Sequence, residues 1–349
     1  MNEKILKLID RLVNEHSLSV EEYEYLIKNR TPKIAELLAT KAVGFRKEHY
    51  GTDVYIRGLI EISNICKNDC LYCGIRKSNT HCDRYRLSKE QIIDCCREGY
   101  TLGFRTFVLQ GGEDGFFTDG VVCDIVNTIK TLFPDCAVTL SLGELSYESY
   151  LKLFQSGADR YLLRHETADS EHYKKLHPEG MSYENRITAL KNLKQIGFQT
   201  GCGFMVGSPY QTENHLAQDL KFIETFKPDM CGIGPFVPHD KTPFSSFSAG
   251  TVELTCFLLS IIRIIHPKIL LPSTTALGTI DPMGREKGIL SGANVVMPNL
   301  SPVSVRAKYE LYNNKICTGD EAAQCRICLE RRINSVGYKI KESRGDVKK

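Results

Sequence analysis

The sequence predicts an α/β protein built as a (β/α)8 barrel, and three observations carry that prediction. Apolar or β-branched runs recur near residues 57–62, 105–109, 137–142, 159–164, 198–206, 230–234, 269–275 and 293–297. Amphipathic stretches separate them, among them 88–102, 120–132, 147–156, 183–196, 213–226 and 251–265. Several open on a capping residue, as Ser88 does with Gln91 three positions on. Runs that are apolar throughout, alternating with helices, indicate parallel strands covered on both faces. Third, polar and glycine-rich residues follow nearly every run, as loops at the C-terminal rim of a barrel do. An open doubly wound sheet is the alternative.

Residues 1–50 read as helical: Ile5, Leu8, Ile9 and Leu12 share a face, and Ser19 opens a second segment with Glu21 and Glu22 in its first turn. No chemistry is apparent there, so this segment is expected to cap one end of the barrel, which would span 51–300. Residues 301–349 form an extension with a second cysteine motif, ending in a short basic tail, 344–349, that reads as a solvated terminus.

Composition excludes several classes. Hydrophobic content of 42%, charged content of 25% and a net charge of +3 are those of an ordinary globular protein. No basic stripe points to nucleic acid. The longest apolar stretch, 256–265, is broken by Arg263 and is too short to span a bilayer. Met1-Asn2-Glu3-Lys4 does not open a signal peptide, which leads to an expected cytoplasmic location. Of 14 cysteines, six fall in two tight motifs and the rest are scattered through apolar segments, a pattern of metal ligands plus small core residues and not of disulfides.

The first motif is Cys66-Lys67-Asn68-Asp69-Cys70-Leu71-Tyr72-Cys73, directly after the strand-like run 58–63. Three thiolates in eight residues suit an iron–sulfur cluster with one iron left open, since a closed four-iron cluster takes four protein ligands. A structural zinc site, with Cys82 or His81 as fourth ligand, and a chance group of thiols are the alternatives. Gly111-Gly112-Glu113 follows the second strand; alone it is a tight turn. Arg164 and Glu166 lie two apart and share a face of the fourth strand: inward they bind a ligand, outward they form a surface pair. Glycines 201, 203 and 207 within a strand signal close backbone approach, here to a ligand ring. The tail spacing Cys317-x7-Cys325-x2-Cys328 suits a second cluster, zinc or a redox pair.

Together these motifs resemble the biotin synthase-related radical S-adenosylmethionine (SAM) enzymes, and among them the FeFe-hydrogenase maturases of the HydE type. The resemblance covers about residues 50–330, with its most specific phrases at 158–168 and 232–243. It implies a 4Fe–4S cluster on Cys66, Cys70 and Cys73, whose open iron is chelated by the methionine part of SAM. It implies SAM contacts from Tyr72, Gly112, Ser141, Arg164, Glu166, Arg186 and Met205. Gln110, Arg160, Thr274, Thr275, Met297 and Tyr309 would face the substrate, and Cys317, Cys325 and Cys328 would hold a second, dispensable iron–sulfur cluster. The implied activity is reductive SAM cleavage, applied to a cysteine-bound iron carbonyl cyanide complex during assembly of the hydrogenase two-iron subcluster. That chemistry implies a small-molecule or organometallic substrate, sister maturases and a reducing protein as partners. A carbon-skeleton mutase such as methylornithine synthase and a non-enzymatic iron–sulfur carrier are the rivals. The sequence departs from the family at Tyr210, where a small residue is usual, and at Asp240, where a proline is; both are expected to alter rim loops.

Overall fold

The computed structural model describes residues 3–318 and 326–348. Three helices come first: α1 (Glu3–Glu15), α2 (Val20–Lys28) and α3 (Pro32–Tyr50). Ser19 and Glu22 form a reciprocal capping box on α2, and Thr31 caps α3 ahead of Pro32. Each cap satisfies amides that the first turn leaves free, contributing about 1 kcal/mol. The chain then alternates through β1 (Asp53–Ile56), β2 (Gly58–Ser63), α4 (Lys89–Thr101), β3 (Thr106–Gly111), α5 (Asp119–Leu132), β4 (Ala137–Ser141), α6 (Tyr147–Gln155) and β5 (Arg160–Leu162). It continues through α7 (Ser170–Leu176), α8 (Tyr183–Ile196), β6 (Gln199–Cys202), β7 (Met205–Val206), α9 (Glu213–Phe226), β8 (Met230–Cys231), β9 (Gly234–Pro235) and α10 (Val252–Ile265). Last come α11 (Thr275–Ile280), α12 (Gly284–Leu290), β10 (Val295–Val296), α13 (Val303–Arg306), α14 (Arg326–Ser335) and β11 (Lys339–Lys341).

Six strands form one parallel sheet in the order β2-β3-β4-β5-β6-β8. Single bridges carry the ring onward from β8 through Met230 to Leu270, and from Pro272 to Val295 of β10. Asn299 returns it to Leu59 of β2, with Leu59 donating to the Pro298 carbonyl and receiving from Leu300 at 2.9 and 2.7 Å. Eight staves therefore close into a barrel, in the places where the apolar runs fall. The six amphipathic stretches are helices α4, α5, α6, α8, α9 and α10, which shield the outer faces of the strands from water.

Two expectations are corrected and one strand is added. The N-terminal helices do not cap an end: α2 lies along α9 and α3 along α10, on the barrel's flank. Their apolar stripes need a long apolar partner, which α10, buried at nearly every position, provides. Strand β1 escaped notice; it pairs in parallel with both β10 and β11, outside the eight-stave ring. The C-terminal tail is no solvated terminus either. Arg344 reaches Asp159 at 2.8 Å, Asp346 reaches Arg160 at 2.5 Å, and Val347 packs on a buried cluster of Tyr50, Tyr55, Met230, Leu270 and Val295. The tail seals the N-terminal end of the barrel. Among the described residues no helix is long and apolar enough to cross a membrane.

Candidate active site at the barrel mouth

Strand β2 runs into a long loop that brings Cys66, Cys70 and Cys73 together as half-buried free thiols. Backbone bonds fix the loop to its neighbours: Lys67 donates to the Glu113 carbonyl at 3.0 Å, Leu71 to Leu176 at 3.0 Å and Gly74 to Leu311 at 2.9 Å. The Glu113 amide points at Cys66 Sγ, 3.4 Å away. Gly112 makes this approach possible, since a Cβ there would lie 2.3 Å from the Ile65 carbonyl oxygen and 2.8 Å from Cys66 Cβ. Arg84 ties the loop from below, donating to the carbonyls of Asn64, Ile75, Arg76 and Asn79 at 2.5–3.1 Å. Arg76 and Ser78 both bind Asp69, which bends the segment between the second and third cysteines.

Burial pushes all three thiols up, Cys70 to about 12, so without a bound metal they are protonated. A metal ligates the thiolate and releases that proton. A single zinc would hold its sulfurs roughly 3.8 Å apart, given bonds of about 2.3 Å to a tetrahedral ion. Among the described residues no three His, Cys, Asp or Glu side chains converge on one ion in that way. Cys82 receives a hydrogen bond from Asn64 at 3.4 Å, and exposed His81 bonds through its backbone to Asn79. Neither Cys82 nor His81 joins the three cysteines as a fourth zinc ligand among the described residues.

The rest of the mouth comes from the other strand ends. Glu113 accepts from the Glu144 amide at 3.1 Å and pairs with Lys67 at 3.1 Å, while Glu144 pairs with Arg186 at 2.5 Å. Arg186 also donates to the Arg164 carbonyl at 2.6 Å, so two of its donors are already engaged inside the protein. Beside the Gly111-Gly112 turn a pocket of about 180 Å³ is lined by Lys67, Gly112, Glu113, Leu142 and Glu144. Ser141 ends β4 in register with Gln110 of β3. Tyr72 contacts His177 Nε2 at 3.2 Å, and Met205 joins Leu176, Phe236, Phe244, Leu71 and Tyr72 in an apolar wall suited to an aromatic base.

Arg164 and Glu166 pair with each other, with charged atoms 3.1 Å apart. The contact is off-line for a hydrogen bond, and Arg164 Nε and Nη2 and Glu166 Oε2 are buried without hydrogen-bond partners. Unpaired buried donors and acceptors each cost about 1–3 kcal/mol. Glu166 also sits at φ +66°, a left-handed conformation that costs about 1–2 kcal/mol for a residue with a Cβ. A left-handed turn and buried polar atoms without hydrogen bonds thus coincide at one rim position. The three glycines act differently from expectation, because protein and not ligand fills the space at each. A Cβ at Gly201 would strike Leu162, at Gly203 the Gly232 carbonyl, and at Gly207 the Gly250 Cα.

Deeper in the barrel, Gln110 donates to the buried Tyr309 hydroxyl at 3.3 Å, and Thr274 Oγ1 is buried without a hydrogen-bond partner. Thr275 opens α11 and lies 3.5 Å from Arg285 Nη2. Met297 packs on the Tyr50–Met230–Val295 cluster in the lower interior. Arg160 is a correction. It starts β5, at the opposite end from the mouth, is fully buried, and donates to Thr106, Gln199, the Arg344 carbonyl and Asp346. Its guanidinium serves the tail, because a residue at the first position of a stave points to the base of the barrel. Tyr210 adopts φ +64° and turns outward onto Phe244 and Phe247, while Gln211 clamps the loop through the Gly207 amide and Met205 carbonyl. Asp240 bonds Asn313, so both departures are absorbed at the rim.

In the tail, Cys317 accepts from Arg285 Nη2 at 3.1 Å. Against the expectation of no disulfides, Cys328, exposed on α14, is disulfide-bonded; Cys325 falls outside the described residues. Glu61, His177 and Lys315 stand at the site without belonging to any motif of the sequence. Glu61 left a signal: it is the one charge in the apolar run 58–63. It is buried on β2, where Lys315 reaches it at 2.5 Å and Asn299 at 2.9 Å, while Lys315 also caps the Tyr309 carbonyl at 2.7 Å.

Comparison with known proteins agrees with this geometry. A family model described as the radical SAM superfamily matches residues 60–223. The FeFe hydrogenase maturase subunit HydE of Thermotoga maritima is 44% identical over 304 residues, covering 87% of this chain and 86% of that protein. The 3-methylornithine synthase of Methanosarcina barkeri is 28% identical over 95% of this chain and 92% of its own. The crystal structure of a methylornithine synthase superposes with a TM-score of 0.83 at 26% identity, covering 96% and 97% of the two chains. With a three-cysteine loop, a closed parallel barrel and a relative this similar across most of its length, the chain is a radical SAM enzyme and belongs to the family of the hydrogenase maturase subunit HydE.

Proposed function

We propose that the protein acts in FeFe-hydrogenase maturation, using SAM on a cysteine-bound iron carbonyl cyanide precursor of the two-iron subcluster. The observation that carries this reading is the 44% identity to the Thermotoga HydE across 87% of the chain. Buried polar atoms of Arg164, Glu166 and Thr274 that lack hydrogen bonds support it. Cys66, Cys70 and Cys73 hold the 4Fe–4S cluster. When bound and reduced, the cluster supplies the electron that breaks the C5′–S bond of SAM and yields a 5′-deoxyadenosyl radical.

The protein's own residues bind, orient and exclude water. The Gly111-Gly112 backbone lies beside the cluster loop and takes the amino group of SAM. Arg164 takes its carboxylate, Glu166 its ribose hydroxyls, and Tyr72 and Met205 flank its adenine, with Ser141 and Arg186 completing the contact. Gln110, Thr274, Thr275, Met297 and Tyr309 face the substrate, whose carboxylate and thiolate suit hydroxyl and amide donors. Once the disulfide at Cys328 is reduced, Cys317, Cys325 and Cys328 hold a second iron–sulfur cluster. Iron analysis tests this: about eight irons per chain should fall to about four when all three are replaced by alanine. Sister maturases that supply and receive the substrate, and a reducing protein, are the partners, and the cytoplasm is the compartment.

The test is anaerobic mass spectrometry of SAM-derived products after reconstitution, with dithionite, SAM and the cysteine-bound iron carbonyl cyanide complex. A substrate-dependent adenosyl–sulfur adduct supports the proposal. Intact SAM beside an intact cluster refutes it. A second reading, a carbon-skeleton mutase, is favoured by the likeness to methylornithine synthase at 28% identity over 95% of the chain. SAM-dependent formation of 3-methylornithine from an amino-acid substrate, supplied in place of the iron complex, would establish it instead of the first.

A further inference from the structure

Glu166 holds its left-handed turn between two anchors that come from one residue on another element. Asp219 on α9 is fully buried, and its Oδ1 accepts from the Ala168 amide at 2.6 Å and contacts His165 Nε2 at 3.2 Å. Residues 165 and 168 bracket Glu166 on both sides. The Gly203 amide donates to His165 Nδ1 at 3.3 Å, which leaves the ring proton on Nε2 and makes it the donor to Asp219. The Glu166 amide itself donates to the Gly203 carbonyl at 3.0 Å, so His165 and Glu166 are pinned to the same glycine from neighbouring staves. Phe222, also on α9, packs its ring on His165 with centroids 4.6 Å apart. Burial pulls His165 down to about 3 and raises Asp219 above its ordinary value. A pair that buries this much polar surface, with Asp219 Oδ2 lacking a hydrogen-bond partner, is a poor choice for stability alone.

We propose that His165 and Asp219 are a positioning pair: they hold the left-handed turn at Glu166 and thereby aim its carboxylate at the ribose hydroxyls of SAM. This rests on the assignment of Glu166 to the ribose made above. Neither residue touches SAM; they act through the backbone of 165–168.

The experiment measures equilibrium binding of SAM and of its 2′-deoxy and 3′-deoxy analogues to the anaerobically reconstituted holoenzyme. Wild-type protein should bind the analogues about 10- to 100-fold more weakly than SAM, the value of a hydrogen bond to a charged group. Glu166→Ala should lose that discrimination. Asp219→Leu should lose it too, while Asp219→Asn, which keeps an oxygen for both donors, should retain it. Should Asp219→Leu fail to fold, His165→Phe fills similar space without either bond and is read in its place. A role limited to stability would weaken SAM and its analogues equally, so an unchanged ratio in the folded variant overturns the inference. An unchanged ratio in Glu166→Ala overturns the ribose assignment, and the inference with it. Lost discrimination in Glu166→Ala but not in the Asp219 or His165 variants overturns the positioning role alone.

Discussion

Replacing Asp346 with asparagine should destabilise the barrel through Arg160, a residue 186 positions away in the sequence. Arg160 is fully buried and Asp346 is its only carboxylate partner among the described residues. The same carboxylate also binds Arg344 at 2.9 Å and Gln199 at 2.9 Å. Buried Arg57 stands close enough to be repelled by Arg160 and attracted by Asp346. Neutralising Asp346 leaves three guanidiniums at the barrel base with half-buried Asp229 and with Asp159, which already pairs with Arg344 and Lys130. Removing one partner of a buried pair costs about 3–5 kcal/mol. Because the Asp346 side chain is 39% exposed, screening lowers the expected loss to about 1–3 kcal/mol. At about 2–4 °C per kcal/mol for a chain of this size, the melting temperature should fall by several degrees. The contribution also has a sign in pH. The arginines hold the Asp346 carboxyl below its ordinary value, so its stabilisation is present above the unfolded value near pH 4 and disappears as pH falls through the folded one. Wild type and D346N should therefore differ at pH 7 and converge in acid. Urea unfolding at pH 7 and pH 3 measures both; a difference under about 0.5 kcal/mol at pH 7, or one that persists unchanged at pH 3, refutes the reasoning.

Three other outcomes are expected. Gly112→Ala should fold, because Gly112 has no positive φ, but its Cβ would displace Cys66 and the Ile65 carbonyl, so iron content and brown colour after reconstitution should fall sharply. Arg84→Met removes four bonds to carbonyls of the cluster loop and should lower iron retention more than it lowers the melting temperature, measured by iron assay and circular dichroism. Lys315→Met leaves Glu61, 1% exposed, without its cation, at a cost of about 3–5 kcal/mol. Burial already raises Glu61, so the folded variant favours the protonated acid; its deficit should shrink in acid and grow as pH rises, which urea unfolding across pH 5–9 checks.

What the sequence reveals about this fold depends on whether a role is carried by neighbours in the chain or by distant residues. The cluster cysteines lie within eight positions and Arg164 and Glu166 within three, since each strand end delivers its own short loop to the rim. Such a role is legible as a motif. The eight staves were legible because parallel strands buried on both faces are apolar throughout, although the seventh joins its neighbours only by single bridges at Leu270 and Pro272. The base of the barrel is different. Arg57, Arg160 and the Arg344–Asp346 tail come from three separate segments, and in sequence each is an ordinary surface charge. The same holds for Glu61 with Lys315 and for His165 with Asp219, pairs separated by 254 and 54 positions. A burial-driven pattern shows which face of a strand is covered, but not whether a polar residue on it finds a partner from another stave. Arg160 shows the consequence. An inward-facing arginine on a barrel strand suggests a ligand contact, and only its place at the first residue of β5 assigns it to the closed end. Height along the stave separates catalytic rim from structural base, and that coordinate is set by register, which the periodicity of one sequence leaves open.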